Sequence, residues 1–185
     1  MTTPHLDARI KERKARRKRV AIGTAIIVAI VIVTIAVVLN LAGRWGVPGF
    51  SFRNEYGSTC TNDLTGYVCD PITQENVTAV AGTDLPPEAE LLGGHYTESG
   101  RWSMSARFRL PKSVAKDTVK QLKEDFGGCV EHAPSTLKTE PGLSRFCVMT
   151  DENAPEKQSP DKAWTVTTAR AESGDTIIQL DVSER

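Results

Sequence analysis

Residues 20–42 read VAIGTAIIVAIVIVTIAVVLNLA, a run without a charge in which only Thr24, Thr34 and Asn40 are polar. A helix rises about 1.5 Å per residue and a hydrocarbon core is about 30 Å thick, so about 20 apolar residues suffice to cross it. The Ile and Val content favours strand in water. In lipid, however, the backbone must satisfy its own hydrogen bonds, and helix wins. A buried helix of a soluble protein is a poor alternative, because this run has no polar face to show water. The run is therefore expected to be a single transmembrane helix.

The flanks give it a direction. The chain has 23 Lys and Arg against 23 Asp and Glu, a formal charge of zero that conceals a strong separation. Arg9, Lys11, Arg13, Lys14, Arg16, Arg17, Lys18 and Arg19 precede the run against Asp7 and Glu12, a net of +6; everything after residue 42 sums to −6. The positive-inside rule places residues 1–19 in the cytoplasm as a basic tail and the remainder outside the plasma membrane, with the bilayer as first partner. The charge pattern excludes a freely soluble cytosolic protein, a multi-pass transporter and a wholly basic nucleic-acid binder. The tail has no aromatic residue for base stacking, so no nucleic-acid partner is expected. Topology and attraction to anionic lipid account for its charge. A cleaved signal fits less well, because its apolar region spans about 7–15 residues and ends in an A-x-A-like site, whereas this run is longer and exits through Asn40-Leu41-Ala42-Gly43. Arg16-Arg17 is a weak twin-arginine match, and no cysteine ends the run to accept a lipid.

All four cysteines, Cys60, Cys69, Cys129 and Cys147, fall on the outer side. An even number confined to an oxidising compartment reads as a disulfide framework. Four cysteines allow three pairings, and nearness in sequence favours Cys60–Cys69 and Cys129–Cys147. Cys129-x-x-His132, with Cys147 or His95, has metal-ligand spacing but lacks the second close pair of a zinc site, so no metal and no cofactor is expected. Residues 43–83 read as a membrane-proximal linker followed by a bent loop around Cys60 and Cys69, shaped by Gly66 and Pro71. Trp45, Phe50, Phe52 and Tyr56 belong to that linker or, on the alternative reading, rest on the lipid interface and fix the height of the domain. Asn76-Val77-Thr78 is a glycosylation sequon.

Residues 84–185 carry the regular pattern. Residues 88–97 suit a strand weakened by Gly93-Gly94. Residues 101–110, RWSMSARFRL, alternate strictly: Trp102, Met104, Ala106, Phe108 and Leu110 on one face, Arg101, Ser103, Ser105, Arg107 and Arg109 on the other. That pattern is a strand with one buried and one wet face. Pro111 ends it, Ser113 can cap a helix over residues 114–126, and Gly127-Gly128 stops that helix. Ala115, Val119, Leu122 and Phe126 form the helix's apolar stripe, with Lys116, Lys120, Lys123 and Glu124 facing water. A strand over 145–150, a polar loop over 151–162 and a hairpin of 163–171 with 175–183 complete the order β-β-α-β-β-β. The expected architecture is a single N-terminal transmembrane helix plus an α+β exported domain, a mostly antiparallel sheet with one packed helix, stapled by disulfides. Its expected core is Trp102, Phe108, Leu122, Phe126, Phe146 and Ile178.

Taken together, TGYVCDPIT at residues 65–73, LPPEAELL at residues 85–92, the Trp-bearing strand and the helix opening after proline resemble small single-pass exported proteins of actinobacterial type. The resemblance covers most of the exported part and implies envelope location without any particular chemistry.

Catalytic constellations are missing from the sequence: no nucleophile elbow, phosphate-binding glycine loop, H-E-x-x-H or dinucleotide fingerprint occurs. His5 lies in the tail, and neither His95 nor His132 has an evident catalytic companion. Asp151, Glu152 and Glu156 read as a solvated loop. The expected function is a membrane-anchored binding or interaction module with an extracytoplasmic partner. The alternatives are an accessory subunit of an envelope complex docked through its helix and, least favoured, an extracytoplasmic enzyme. Arg101, Arg107 and Arg109 are the candidate docking patch for an anionic partner, or else a sheet face balanced by neighbouring acids. Ala21, Ala25 and Ala29 repeat every four residues, a spacing that lets helices approach closely and suggests a homodimer through the transmembrane helix.

Overall fold

The computed structural model describes residues 4–153 and 160–185, and the side chains of residues 4–16, 18, 40 and 153 lie outside that description. The readings that rest on His5, Asn40, the first basic residues of the tail and Glu156 in the 151–162 loop therefore fall outside the described part. Helix α1 spans Pro4–Arg44, 41 residues that carry the expected apolar run and continue back through the basic tail. Over Arg19–Arg44 it is apolar and long enough to cross a bilayer, and nothing in the molecule buries its most apolar stretch. A secretion signal shares that property.

The rest is one eight-stranded antiparallel sheet in the order β1-β2-β3-β4-β5-β8-β7-β6. The strands are β1 Ser51–Arg53, β2 Thr59–Asn62, β3 Tyr67–Cys69, β4 Glu90–Ser99, β5 Arg101–Leu110, β6 Leu143–Thr150, β7 Lys162–Ala171 and β8 Thr176–Glu184. Two helices, α2 Gln74–Ala81 and α3 Lys112–Phe126, supply a second layer. Strand β5 has the expected limits, and its alternation is realised: Met104, Ala106, Phe108 and Leu110 are buried and Trp102 half-buried. These side chains meet Val77 and Ala81 of α2, Leu122 and Phe126 of α3, and Trp164, Val166, Ile178 and Leu180 of the β7–β8 hairpin. Of the expected core, Phe146 lies elsewhere, in a smaller cluster with Leu137, Ala169 and Ile177. That cluster covers the opposite sheet face beneath a short 3-10 turn, Thr136–Thr139.

Three expectations give way. The reading of residues 43–83 as linker and irregular loop misses that this segment supplies β1, β2, β3 and α2. Each piece is too short to show periodicity, and while β1–β2 and β2–β3 pair locally, the meander joins the rest of the sheet only through the distant pairs Tyr67↔Glu98 and Cys69↔Tyr96. Ser113 does not cap α3: the helix begins at Lys112 after an extended Pro111, with no side-chain cap. The order is accordingly longer than β-β-α-β-β-β. Both disulfides form as sequence nearness favours, Cys60–Cys69 and Cys129–Cys147. The first joins residues directly opposite on β2 and β3. The second ties the loop after α3 to β6, whose Val148 carbonyl also accepts the Val130 N–H at 2.7 Å.

Helix and sheet are joined closely. Gly43 is buried, and a Cβ built on it would lie 2.3 Å from the Ser51 carbonyl oxygen. The buried Asn62 amide donates to the Gly43 carbonyl at 2.6 Å and to the Phe50 carbonyl at 3.1 Å. Leu39, Arg44, Phe52, Arg53 and Thr59 line an open cleft of about 540 Å³ beside this joint. The last turn of α1 thus rests on the edge of β1.

Candidate functional site

Strand β5 ends at Leu110, and α3 folds back over the sheet so that Leu122 and Phe126 of its apolar stripe are buried. One flank of that helix remains beside the β7–β8 turn. Along this flank run Lys112, Lys116, Lys120 and Lys123, all exposed, with Ala115 and Val119 half-buried between them. Arg170, Gly174 and Thr176 form the facing wall, and the two sides enclose an open groove of about 510 Å³. Gly174 has φ 85°, a left-handed conformation that favours glycine, and the end of the Lys112 side chain lies over it.

The charges of α3 are sorted. Starting at Lys112 and turning 100° per residue, the four lysines fall within an arc of about 80°, while Asp117, Glu124 and Asp125 lie outside it. Lys120 approaches Glu124 at 3.8 Å, both side chains well exposed, an ion pair of little strength. Thr83 donates to Asp125 at 2.8 Å, which holds that acid to the α2–β4 connection and away from the groove. Five cations around one groove therefore stand in a segment whose net charge after residue 42 is −6.

The patch expected on β5 is arranged differently. Arg107 makes a bidentate pair with Glu140 at 2.8 and 2.6 Å, and Arg109 pairs with Glu90 at 3.2 Å. Arg101 is exposed at the start of the strand. Two of the three charges are thus balanced by acids from neighbouring segments, which leaves no concentrated positive face there. The lysine flank was visible in the sequence as a four-residue repeat of Lys, but the wall opposite it, Arg170 and Gly174, comes from a hairpin some 50 residues away and only folding brings it there.

The remaining candidates are structural. The four cysteines are oxidised, and among the described residues no three metal-ligating side chains gather. His95 lies in β4 opposite Ser105 and lines a shallow cleft with Asp181 and Asp151, and His132 lies in the loop after α3 and does not line it. Ser105 donates to Asp181 at 2.7 Å rather than to an imidazole. Asn76 of the sequon is buried, and its amide donates to Ser58 Oγ at 3.1 Å. Phe52, the alternative interface candidate, opens an aromatic row: it meets Tyr67 edge-on, Tyr67 lies 5.9 Å from Tyr96, and Tyr96 stacks on Trp102. Both tyrosine hydroxyls donate to Glu98, at 2.6 and 2.9 Å. Burial, followed by these contacts with a carboxylate, pushes Tyr67 up to about 12 and raises Tyr96 as well. Lys162 sits over Trp102 and donates to the Val80 carbonyl at 2.8 Å, closing the row against α2. Of the other interface candidates, Trp45 is widely exposed at the end of α1. Ala21, Ala25 and Ala29 are likewise exposed along the helix.

No protein family, curated protein or solved structure matches the chain.

Proposed function

We propose that the chain is a membrane-anchored extracytoplasmic binding module that holds an anionic ligand in the groove between α3 and the β7–β8 turn. One observation carries this reading: Lys112, Lys116, Lys120, Lys123 and Arg170 converge on a single groove lined by none of the described acids, and Glu124 of α3 meets only Lys120, at 3.8 Å. Charges so sorted in an acidic domain draw an anion by long-range attraction and hold it by charge-assisted contacts. Helix α1 provides the anchor, its basic end in the cytoplasm, and the two disulfides suit the oxidising side.

The test uses intact cells. A membrane-impermeant amine reagent should label Lys116 and Lys120, whereas Lys11 and Lys14 react only after permeabilisation. Affinity purification after cross-linking should then retain the same partner when α1 is swapped for an unrelated transmembrane helix, and lose it in Lys116→Gln with Lys120→Gln. Labelling of the tail in intact cells would overturn the orientation. A partner lost with the helix swap and kept in the lysine variant would make the chain an accessory subunit docked through α1.

A further inference from the structure

The lysines of the groove form a row rather than a cluster, and the row carries information about the ligand. Lys112, Lys116 and Lys120 are four residues apart, so each is displaced about 6 Å along the helix from the last, and Lys123 extends the row to about 16 Å. Between them the floor is aliphatic, Ala115 and Val119. A compact anion would meet one or two of these ammonium groups and leave the others at a distance where salt screens them. A row of evenly spaced point charges matches a chain that repeats its own charge. The side chains suit such a chain: the lysine ammoniums are non-directional point charges that a phosphate can meet from any side, and Arg170 is the groove's single planar fork.

Resting on the anionic-ligand reading above, we infer that the groove takes an extended, phosphate-bearing polymer laid along α3, with successive phosphates meeting Lys112, Lys116, Lys120 and Lys123. Bilayer headgroups carry the same phosphate chemistry but suit the site less well. The lysines share a recess with the wall of Arg170, Gly174 and Thr176, and a flat surface reaches the rim of a recess while a single chain reaches its floor.

The experiment uses the full chain in phosphatidylcholine nanodiscs at about 0.15 M salt, where the Debye length is about 8 Å. The probes are orthophosphate, pyrophosphate and inorganic polyphosphate of graded length. Affinity should climb with chain length and level off once the row is filled, with orthophosphate at least 100-fold weaker than the longest probe. Lys116→Gln with Lys120→Gln should weaken polyphosphate binding at least tenfold, and Arg101→Gln, an exposed cation off the groove, should not. Amine acetylation read by mass spectrometry should show all four lysines protected together. Orthophosphate binding as tight as polyphosphate, still sensitive to the lysine variant, would overturn the polymer and keep the anion site. Equal losses in Arg101→Gln and the lysine variant, or no binding of any probe, would overturn both. Protection of the lysines by phosphatidylglycerol nanodiscs alone, as complete as with polyphosphate, would assign the groove to headgroups and overturn the polymer.

Discussion

Gly43→Ala tests whether the helix and the exported sheet are one body. The added Cβ would stand 2.3 Å from the Ser51 carbonyl oxygen and 2.9 Å from its carbon, both backbone atoms, where real contacts stay beyond 3.0 Å. The joint must therefore open by about 0.7 Å or more, and the Asn62 bond to the Gly43 carbonyl, now 2.6 Å, opens with it. Overpacking of this kind costs about 1–3 kcal/mol, and leaving a buried amide unpaired costs a similar amount. Both describe one displacement, so about 2 kcal/mol is a fair net figure, roughly a 30-fold shift toward the undocked state. Alanine also raises helix propensity by about 1 kcal/mol, which is the reason for a control. Gly23→Ala makes the same chemical change with nothing within 4 Å of the new methyl. Hydrogen exchange of residues 43–53 and 62, followed by mass spectrometry in nanodiscs, should speed up about 30-fold in Gly43→Ala relative to Gly23→Ala. Equal protection in the two variants would refute the docked joint and make residues 43–58 a free tether.

Further outcomes follow from single contacts. Replacing Cys129 and Cys147 together by serine opens a loop of sequence separation 18, and denaturant titration should register a loss of about 3 kcal/mol. Tyr67 ionises at about 12 in the folded chain against 10.0 ordinarily, so its contribution is intact below about pH 10 and lost as pH rises through 12. Glu98→Gln should bring the tyrosinate absorbance of Tyr67 and Tyr96 to lower pH, and an unchanged titration would break the link to Glu98. Expression in a host that glycosylates exported asparagines should leave Asn76 unmodified by mass, since its amide is spent on Ser58. Asn76→Ala should lower stability by about 1–3 kcal/mol in a thermal melt.

What the sequence disclosed was what lies close together in it. The apolar run, strand β5, helix α3 and the β7–β8 hairpin each carry a full period within ten or fifteen residues, so their type and face are legible. Sheet membership of β1–β3 is not, because three- and four-residue strands show no alternation, and only β3, through Tyr67↔Glu98 and Cys69↔Tyr96, ties that locally paired meander to a strand far along the chain. The β5 arginines look like a patch only while Glu90 and Glu140 are out of sight. The lysine row on α3 looks like an ordinary wet helix face until the hairpin closes one side of it. In both cases charge was readable and its neighbours were not.

The docked joint also bears on the small-residue face of α1. At 3.6 residues per turn, Ala29, Ala25 and Ala21 point within about 40° of the direction of Gly43, fourteen, eighteen and twenty-two residues earlier. The sheet hangs on that same side, because Gly43 is the residue that touches β1. A second copy packed parallel on the alanine face would carry its own sheet at the same height, so a symmetric pair must house two sheets beside the paired helices. A docked sheet on that side therefore crowds a symmetric pair, and the expectation put to the test is a chain that does not dimerise through the alanines. Ala25→Leu should leave the sedimentation coefficient of the chain in detergent unchanged. A dimer trapped in high yield through Ala25→Cys would show instead that the helices pair there and that the joint at Gly43 opens to allow it.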